Sequence, residues 1–144
     1  MLVPSISQIL HKLPANSQLA EDREWGTATR LFLDDATEAV LVEIAADWHS
    51  SVHLHRHKSN EFIVLSGELQ IAYLRPGGNF PDKWIKQALC PQKSPLIVPA
   101  AMRHAFYSAS DVVAIEIYRA VAGEKIDVND IVRFSERGRG SLPI

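Results

Sequence analysis

His53, His55 and His57 occupy alternate positions of one short segment, and His104 follows a second phrase that begins at Pro99. Alternate side chains of an extended strand share a face, so the three imidazoles project to one side while Val52 and Leu54 point to the other. Neutral imidazole is a common ligand for zinc, iron, nickel or copper. Asn60-Glu61 brings an acid close enough in sequence to complete a mixed nitrogen and oxygen shell. From Glu61 to Ile71 the sequence has the texture of core strands, which argues against a solvated histidine-rich tract.

Holding such a cluster requires a rigid framework, and the chain supplies short β-rich runs. These are Thr29 to Leu33, Ala39 to Ala45, Ser51 to His57, Phe62 to Leu65, Leu69 to Leu74, Lys83 to Leu89, Leu96 to Val98, His104 to Ser108 and Val112 to Tyr118. Asp34-Asp35, Ser66-Gly67, Pro76-Gly77-Gly78-Asn79 and Ser108 to Asp111 separate them with turn chemistry. Many short strands without intervening helices predict an antiparallel sandwich or barrel. Helical spacing shows only at the ends. Ser5 caps the run Ile6, Ile9, Leu10, Leu13, and Asn129 precedes Asp130, Ile131, Val132, Arg133 and Phe134 as the cap of a short C-terminal helix. An N-terminal arm over 1–23 and one domain over 24–144 are therefore expected.

A length of 144 residues fits a single core. With a net charge of −2 and basic residues dense only at Arg133, Arg137 and Arg139, the chain carries no nucleic-acid footprint. Cys90 is the single cysteine, which excludes an intrachain disulfide and suits a reducing compartment. The N-terminus has no basic region ahead of its apolar residues, and no run approaches the roughly 20 apolar residues that span a bilayer. A cytoplasmic protein with no membrane partner is the expectation.

His-x-His, an acid a few residues on, a glycine before the next strand, and then Pro-x-small-x-x-His resemble the two motifs of the cupin family. The first runs from His53 to Gly67 and the second from Pro99 to His104. The resemblance implies an all-β double-stranded β-helix, a small jelly-roll barrel whose inward ligands hold a divalent metal. Two frames are open. Counting back from Gly67 gives His53 and His55 with Asn60 at the acid position, whereas counting from the histidines gives His55 and His57 with Glu61. The preferred ligands are His53, His55 and His104 with Glu61 as fourth, recruited by a bulge or slip because it stands one step off in strand phase. His57 is its rival, and three histidines without a carboxylate is the third arrangement.

A narrower likeness covers about residues 24–140. Trp25-Gly26, Ser51 to His57, Phe62 to Gly67 and Asp130-Ile131-Val132-Arg133-Phe134 resemble the cupin domain of type II mannose-6-phosphate isomerases. That likeness implies isomerisation or epimerisation of a sugar or sugar phosphate, with zinc, nickel, manganese or iron as cofactor. His57 is then the candidate base, and Arg133 the residue that holds an anionic group. The family's glutamine ligand position is His53 here, and its Lys-Arg pair aligns with Val40-Leu41. Neutral sugars and nucleotide sugars therefore join sugar phosphates as expected substrates. Two rival classes are an iron dioxygenase of a small metabolite and a non-catalytic sugar sensor. Edge strands and the apolar Ile6, Ile9 and Leu10 predict a homodimer. Trp48, Trp84, Phe106 and Tyr118 read as core or interface, and Glu116 as either an inward acid or an exposed edge residue.

Overall fold

A computed structural model describes residues 20–144, so the expected N-terminal helix lies outside the described residues. Thirteen strands follow in chain order: β1 Ala20–Arg23, β2 Gly26–Leu33, β3 Thr37–Ile44, β4 Trp48–His49, β5 His53–Leu54, β6 Lys58–Ser66, β7 Leu69–Arg75, β8 Lys83–Leu89, β9 Leu96–Val98, β10 His104–Ser108, β11 Val112–Ala120, β12 Val132–Arg133 and β13 Gly138–Arg139. The sheet begins at Ala20, inside the segment expected as an arm, because β1 pairs with β2. One sheet runs β1-β2-β3-β11-β6-β9. In the other, β10 has β7 and then β8 on one side, and on its other side β4 and β5, which pair with β13 and β12. Every pairing is antiparallel, giving the expected all-β jelly-roll barrel. Among the described residues there is no helix, hence none long and apolar enough to cross a membrane.

Period-two alternation divides the barrel interior into two halves. On β6 the inward residues are Lys58, Asn60, Phe62 and Val64; on β11 they are Val112, Ala114, Glu116 and Tyr118; on β3 they are Glu38, Val40, Val42 and Ile44. Register aligns these rows across the sheet. Ala114 lies between Val42 and Val64, and Tyr118 between Glu38 and Asn60. One end of the barrel is therefore apolar, where Val42, Ile44, Phe62, Val64 and Ala114 join Leu69, Ile71, Leu89, Val98 and Val112 in the core. Full burial of each large apolar side chain contributes about 1.5–3 kcal/mol, so this end holds the barrel shut. The other end carries polar side chains inward on the same strands and stays open.

The C-terminal helix predicted at Asn129 is not formed. Residues 128 and 129 lie in a turn, and Val132 and Arg133 instead pair as β12 with Leu54 and His53. Asp130 explains the difference. Its carboxylate accepts hydrogen bonds from the backbone N–H of Arg56 (2.9 Å) and of His57 (2.8 Å), so it serves a distant loop and not a helix of its own. Burial alone would raise the Asp130 pKa, and these two N–H bonds with nearby Lys58 hold it below its ordinary value.

Candidate metal centre

The two histidine phrases meet side by side. His53 on β5 and His104 at the start of β10 are directly opposed partners in the ladder, and His55 follows just beyond β5. Ring centroids lie 4.4 Å apart for His53 and His104, 5.2 Å for His53 and His55, and 5.4 Å for His55 and His104. One ligand nitrogen from each falls within 4.8 Å of the others, and all three residues are buried.

Each Nδ1 is tied to a backbone carbonyl: His53 to Ser51 O at 2.7 Å, His55 to Asp130 O at 2.7 Å and His104 to Met102 O at 3.0 Å. A carbonyl oxygen only accepts, so Nδ1 carries the proton and donates, and Nε2 keeps its lone pair. This is how a protein fixes tautomer and ring direction in a metal ligand. Among the described residues Nε2 of His55 and of His104 finds no hydrogen-bond partner, although both atoms are buried. Buried unpartnered acceptors are costly and rare, and a cation would satisfy both at once, so these residues fit a divalent metal. The second phrase is clasped to the first by the Ala101 N–H, which donates to His55 O from a left-handed turn at φ 64.

Burial is the main cause that lowers all three imidazole pKa values. His53 falls to about 4, with His55 and Arg133 adding to the effect; His55 is lowered with help from Lys58 and Arg133; His104 falls well below 6.5, pushed further by His53 and His55. The rings are thus neutral ligands at pH 7. Between their unfolded and folded values the unfolded chain binds more protons, so stability is full above about pH 6.5 and declines as pH falls toward 4. Each imidazole adds a slope of up to about 1.4 kcal/mol per pH unit. The raised pKa of buried Glu116 acts in the opposite sense, one group against three. Metal-stripped protein is expected to keep its urea resistance down to about pH 6.5 and to lose it steeply between about pH 6.5 and 5. A flat unfolding midpoint over that range contradicts the assignment.

The structure does not bring Glu61 or His57 to this cluster. Glu61 follows Asn60 on β6 and points to the outer face, where its carboxylate pairs with Arg119. No bulge recruits it, since β6 runs in unbroken register from Lys58 to Val64 against β11. His57 sits beyond the end of β5, in the bend held by Asp130; its side chain is 55% exposed and lies 3.9 Å from Glu124. The frame counted back from Gly67 is therefore the one the fold adopts, with Asn60 facing inward at the acid position. Arg133 is exposed and lines the same cavity as His53 and His55.

That cavity, about 810 Å³, is lined by His53, His55, Lys58, Asn60, Glu116 and Tyr118 among others. Glu116 accepts hydrogen bonds from Tyr118 Oη and from Asn60 Nδ2, the latter at 3.1 Å. Lys58 donates to Asp127 O at 2.8 Å and lies 4.7 Å from the Tyr118 ring centroid. Arg30 pairs with Glu38 at 3.0 Å. Sequence reasoning gives Lys58 and Tyr118 no chemical role. The signal that could have found them is polar residues at every second position of two hydrophobic runs.

No family model and no curated protein sequence matches the chain. Solved structures do. The capsular polysaccharide assembling protein CapF from Staphylococcus aureus superposes with TM-score 0.67 at 21% identity over 90% of this chain and 36% of that one. Oxalate decarboxylase from Bacillus subtilis superposes with TM-score 0.67 at 9% identity over 83% of this chain and 30% of its own. Both are cupin proteins, so the barrel described above is the cupin fold. The chain spans about a third of the length of each. Fold and site together give a cupin-type barrel that carries a candidate three-histidine divalent-metal site.

Proposed function

We propose that this chain is a metal-dependent cupin that isomerises or epimerises a sugar or sugar derivative. The observation that carries the reading is a cluster of three tautomer-locked imidazoles, two of which, His53 and His55, line a cavity that also holds a buried acid and phenol, Glu116 and Tyr118. His53, His55 and His104 would hold zinc, nickel, manganese or iron, whose chemistry there is to polarise a carbonyl or hydroxyl oxygen. Proton movement falls to Glu116 in place of the expected His57, which does not reach the cavity. Burial raises the Glu116 pKa, the direction that suits an acid–base group working near neutrality. Lys58 inside and Arg133 at the rim offer cationic contacts, which supports phosphorylated or nucleotide-linked sugars despite Val40-Leu41. CapF is named for capsular polysaccharide assembly, and the likeness of fold supports a carbohydrate ligand as first choice.

Glu116→Gln is expected to lower turnover by about 10²- to 10⁴-fold while metal content is retained, because Gln keeps an acceptor oxygen for Asn60. Unchanged turnover in that variant removes Glu116 from the mechanism. A second reading, an iron dioxygenase, is favoured by one observation: the clustered ligands are three histidines without a carboxylate. One screen separates the two, following solvent deuterium into sugars and oxygen consumption by metal-loaded protein. Deuterium uptake at a sugar carbon without oxygen consumption supports the isomerase. Oxygen consumption without exchange supports the dioxygenase, and silence in both supports a binding protein. The same proposal includes a homodimer, supported by exposed Ile97 on edge strand β9 and exposed Leu65 on neighbouring β6. Sedimentation at micromolar concentration that finds only monomer overturns it.

A further inference from the structure

Three buried side-chain polar atoms lack a hydrogen-bond partner among the described residues: His55 Nε2, His104 Nε2 and Asn60 Oδ1. With both imidazole protons on Nδ1, all three are acceptors, and a donor-free group of buried acceptors calls for a cation. Asn60 lines the same cavity as His53 and His55. Its ladder partner Tyr118 has its ring 5.3 Å from that of His55, and Phe62, two residues on along the same face, has its ring 6.2 Å from that of His104. The amide cannot turn round without loss. Glu116 Oε2 accepts from Asn60 Nδ2 at 3.1 Å and from Tyr118 Oη, so the nitrogen faces the acid and Oδ1 is left for another partner.

We propose that Asn60 Oδ1 is the fourth protein donor to the ion held by His53, His55 and His104, and that the resulting uncharged donor set selects an anionic oxygen ligand. The inference rests on the proposed metal-binding reading of the site. A carboxamide oxygen is a competent donor to divalent ions, as in many oxygen-liganded sites. It differs from a carboxylate in one respect that matters: three neutral imidazoles and an amide leave both positive charges of the ion uncompensated, whereas a carboxylate would cancel one. The ion is the largest local charge in such a site, so the missing unit of charge is supplied by the ligand. Substrates that bind through a carboxylate, an enolate or another oxyanion are thereby favoured over neutral alcohols.

The test uses cobalt(II) as the probe in the full chain, reading affinity and the visible ligand-field spectrum, followed by titration of the loaded protein with acetate. Asn60→Leu is expected to weaken cobalt binding about 10- to 100-fold and to change the spectrum. Asn60→Asp, which keeps the shape and adds the charge, is expected to hold cobalt at least as tightly and to weaken acetate binding about 10-fold. A purely structural Asn60 would shift the unfolding midpoint in these variants and leave the spectrum alone. Wild-type affinity and spectrum in Asn60→Leu overturn the fourth donor. Should that variant fail to fold, unchanged acetate affinity in Asn60→Asp overturns the proposal by itself. Absence of cobalt binding to the wild-type protein overturns the metal reading as well, which distinguishes the two failures.

Discussion

His104→Ala strips the protein of stoichiometric divalent metal, and His57→Ala leaves metal content unchanged. His104 is 1% exposed and lies directly across the ladder from His53, with its free Nε2 fixed in direction by the Nδ1 bond to Met102 O. No neighbouring histidine among the described residues can replace it, because its place at the start of β10 is set by pairing with both β5 and β7. Structural zinc sites bind with about 10–16 kcal/mol shared among four donors, so loss of one costs roughly 3 kcal/mol, or at least ~100-fold in Kd. His57 is not part of the cluster, and its exposed side chain lies 3.9 Å from exposed Glu124. Elemental analysis of untagged protein after dialysis reads both variants against wild type. Equal metal content in the two variants would falsify the site. Thermal unfolding of each variant verifies that it is folded.

The inward histidines are legible in the sequence because their signal is local: period two within β5 places His53 and the following His55 on one side, and the Pro99 to His104 phrase fixes the strand that faces them. His57 departs from that pattern for a reason that no local signal contains. The chain leaves β5 after Leu54 because the Asp130 carboxylate, more than seventy positions away, takes the amides of Arg56 and His57. The same contact cancels the predicted C-terminal helix. Asn129 and Asp130 have cap chemistry, but Asp130 commits its oxygens to the histidine loop, and Val132 and Arg133 complete β12 against β5.

Glu61 is the better ligand on chemistry, a carboxylate over an amide, and strand parity overrides that choice. With Phe62 and Val64 committed to the core, Asn60 and Lys58 must face inward too, and Glu61 must face out to Arg119. Glu116 and Tyr118 obey the same rule on β11, where Ala114 anchors the phase. Parity thus locates the polar half of the barrel once the core residues are chosen. Strands β4 and β13 are not legible at all, since two-residue pairings are too short to show alternation; β4 depends on β10 as template and β13 on β4.

Gly67→Ala lowers stability by about 2–5 kcal/mol, from two separate causes that a second glycine can tell apart. Gly67 links β6 to β7 at φ +82, a left-handed conformation that costs an L residue about 1–2 kcal/mol. A Cβ there would also fall 2.1 Å from the Asp111 carbonyl oxygen and 2.9 Å from Ser110 Oγ, a collision with backbone that rotamer changes cannot relieve. Relief requires the β6–β7 turn to part from the 110–111 loop. That movement breaks the Glu68 N–H bond to Ser110 Oγ at 3.0 Å and disturbs Asp111, whose carboxylate receives the Ala46 N–H at 2.9 Å. Forced repacking of this kind adds about 1–3 kcal/mol. Gly123 has nearly the same φ, +86, and a Cβ added there would meet nothing within 4 Å, so Gly123→Ala registers the backbone cost alone. Urea unfolding should therefore rank Gly67→Ala below Gly123→Ala, and equal losses would show that close approach to the 110–111 loop contributes nothing. Because Gly67 closes the apolar end of β6 while Lys58 and Asn60 lie at the other end, the folded Gly67→Ala protein retains the wild-type cobalt spectrum below its unfolding transition.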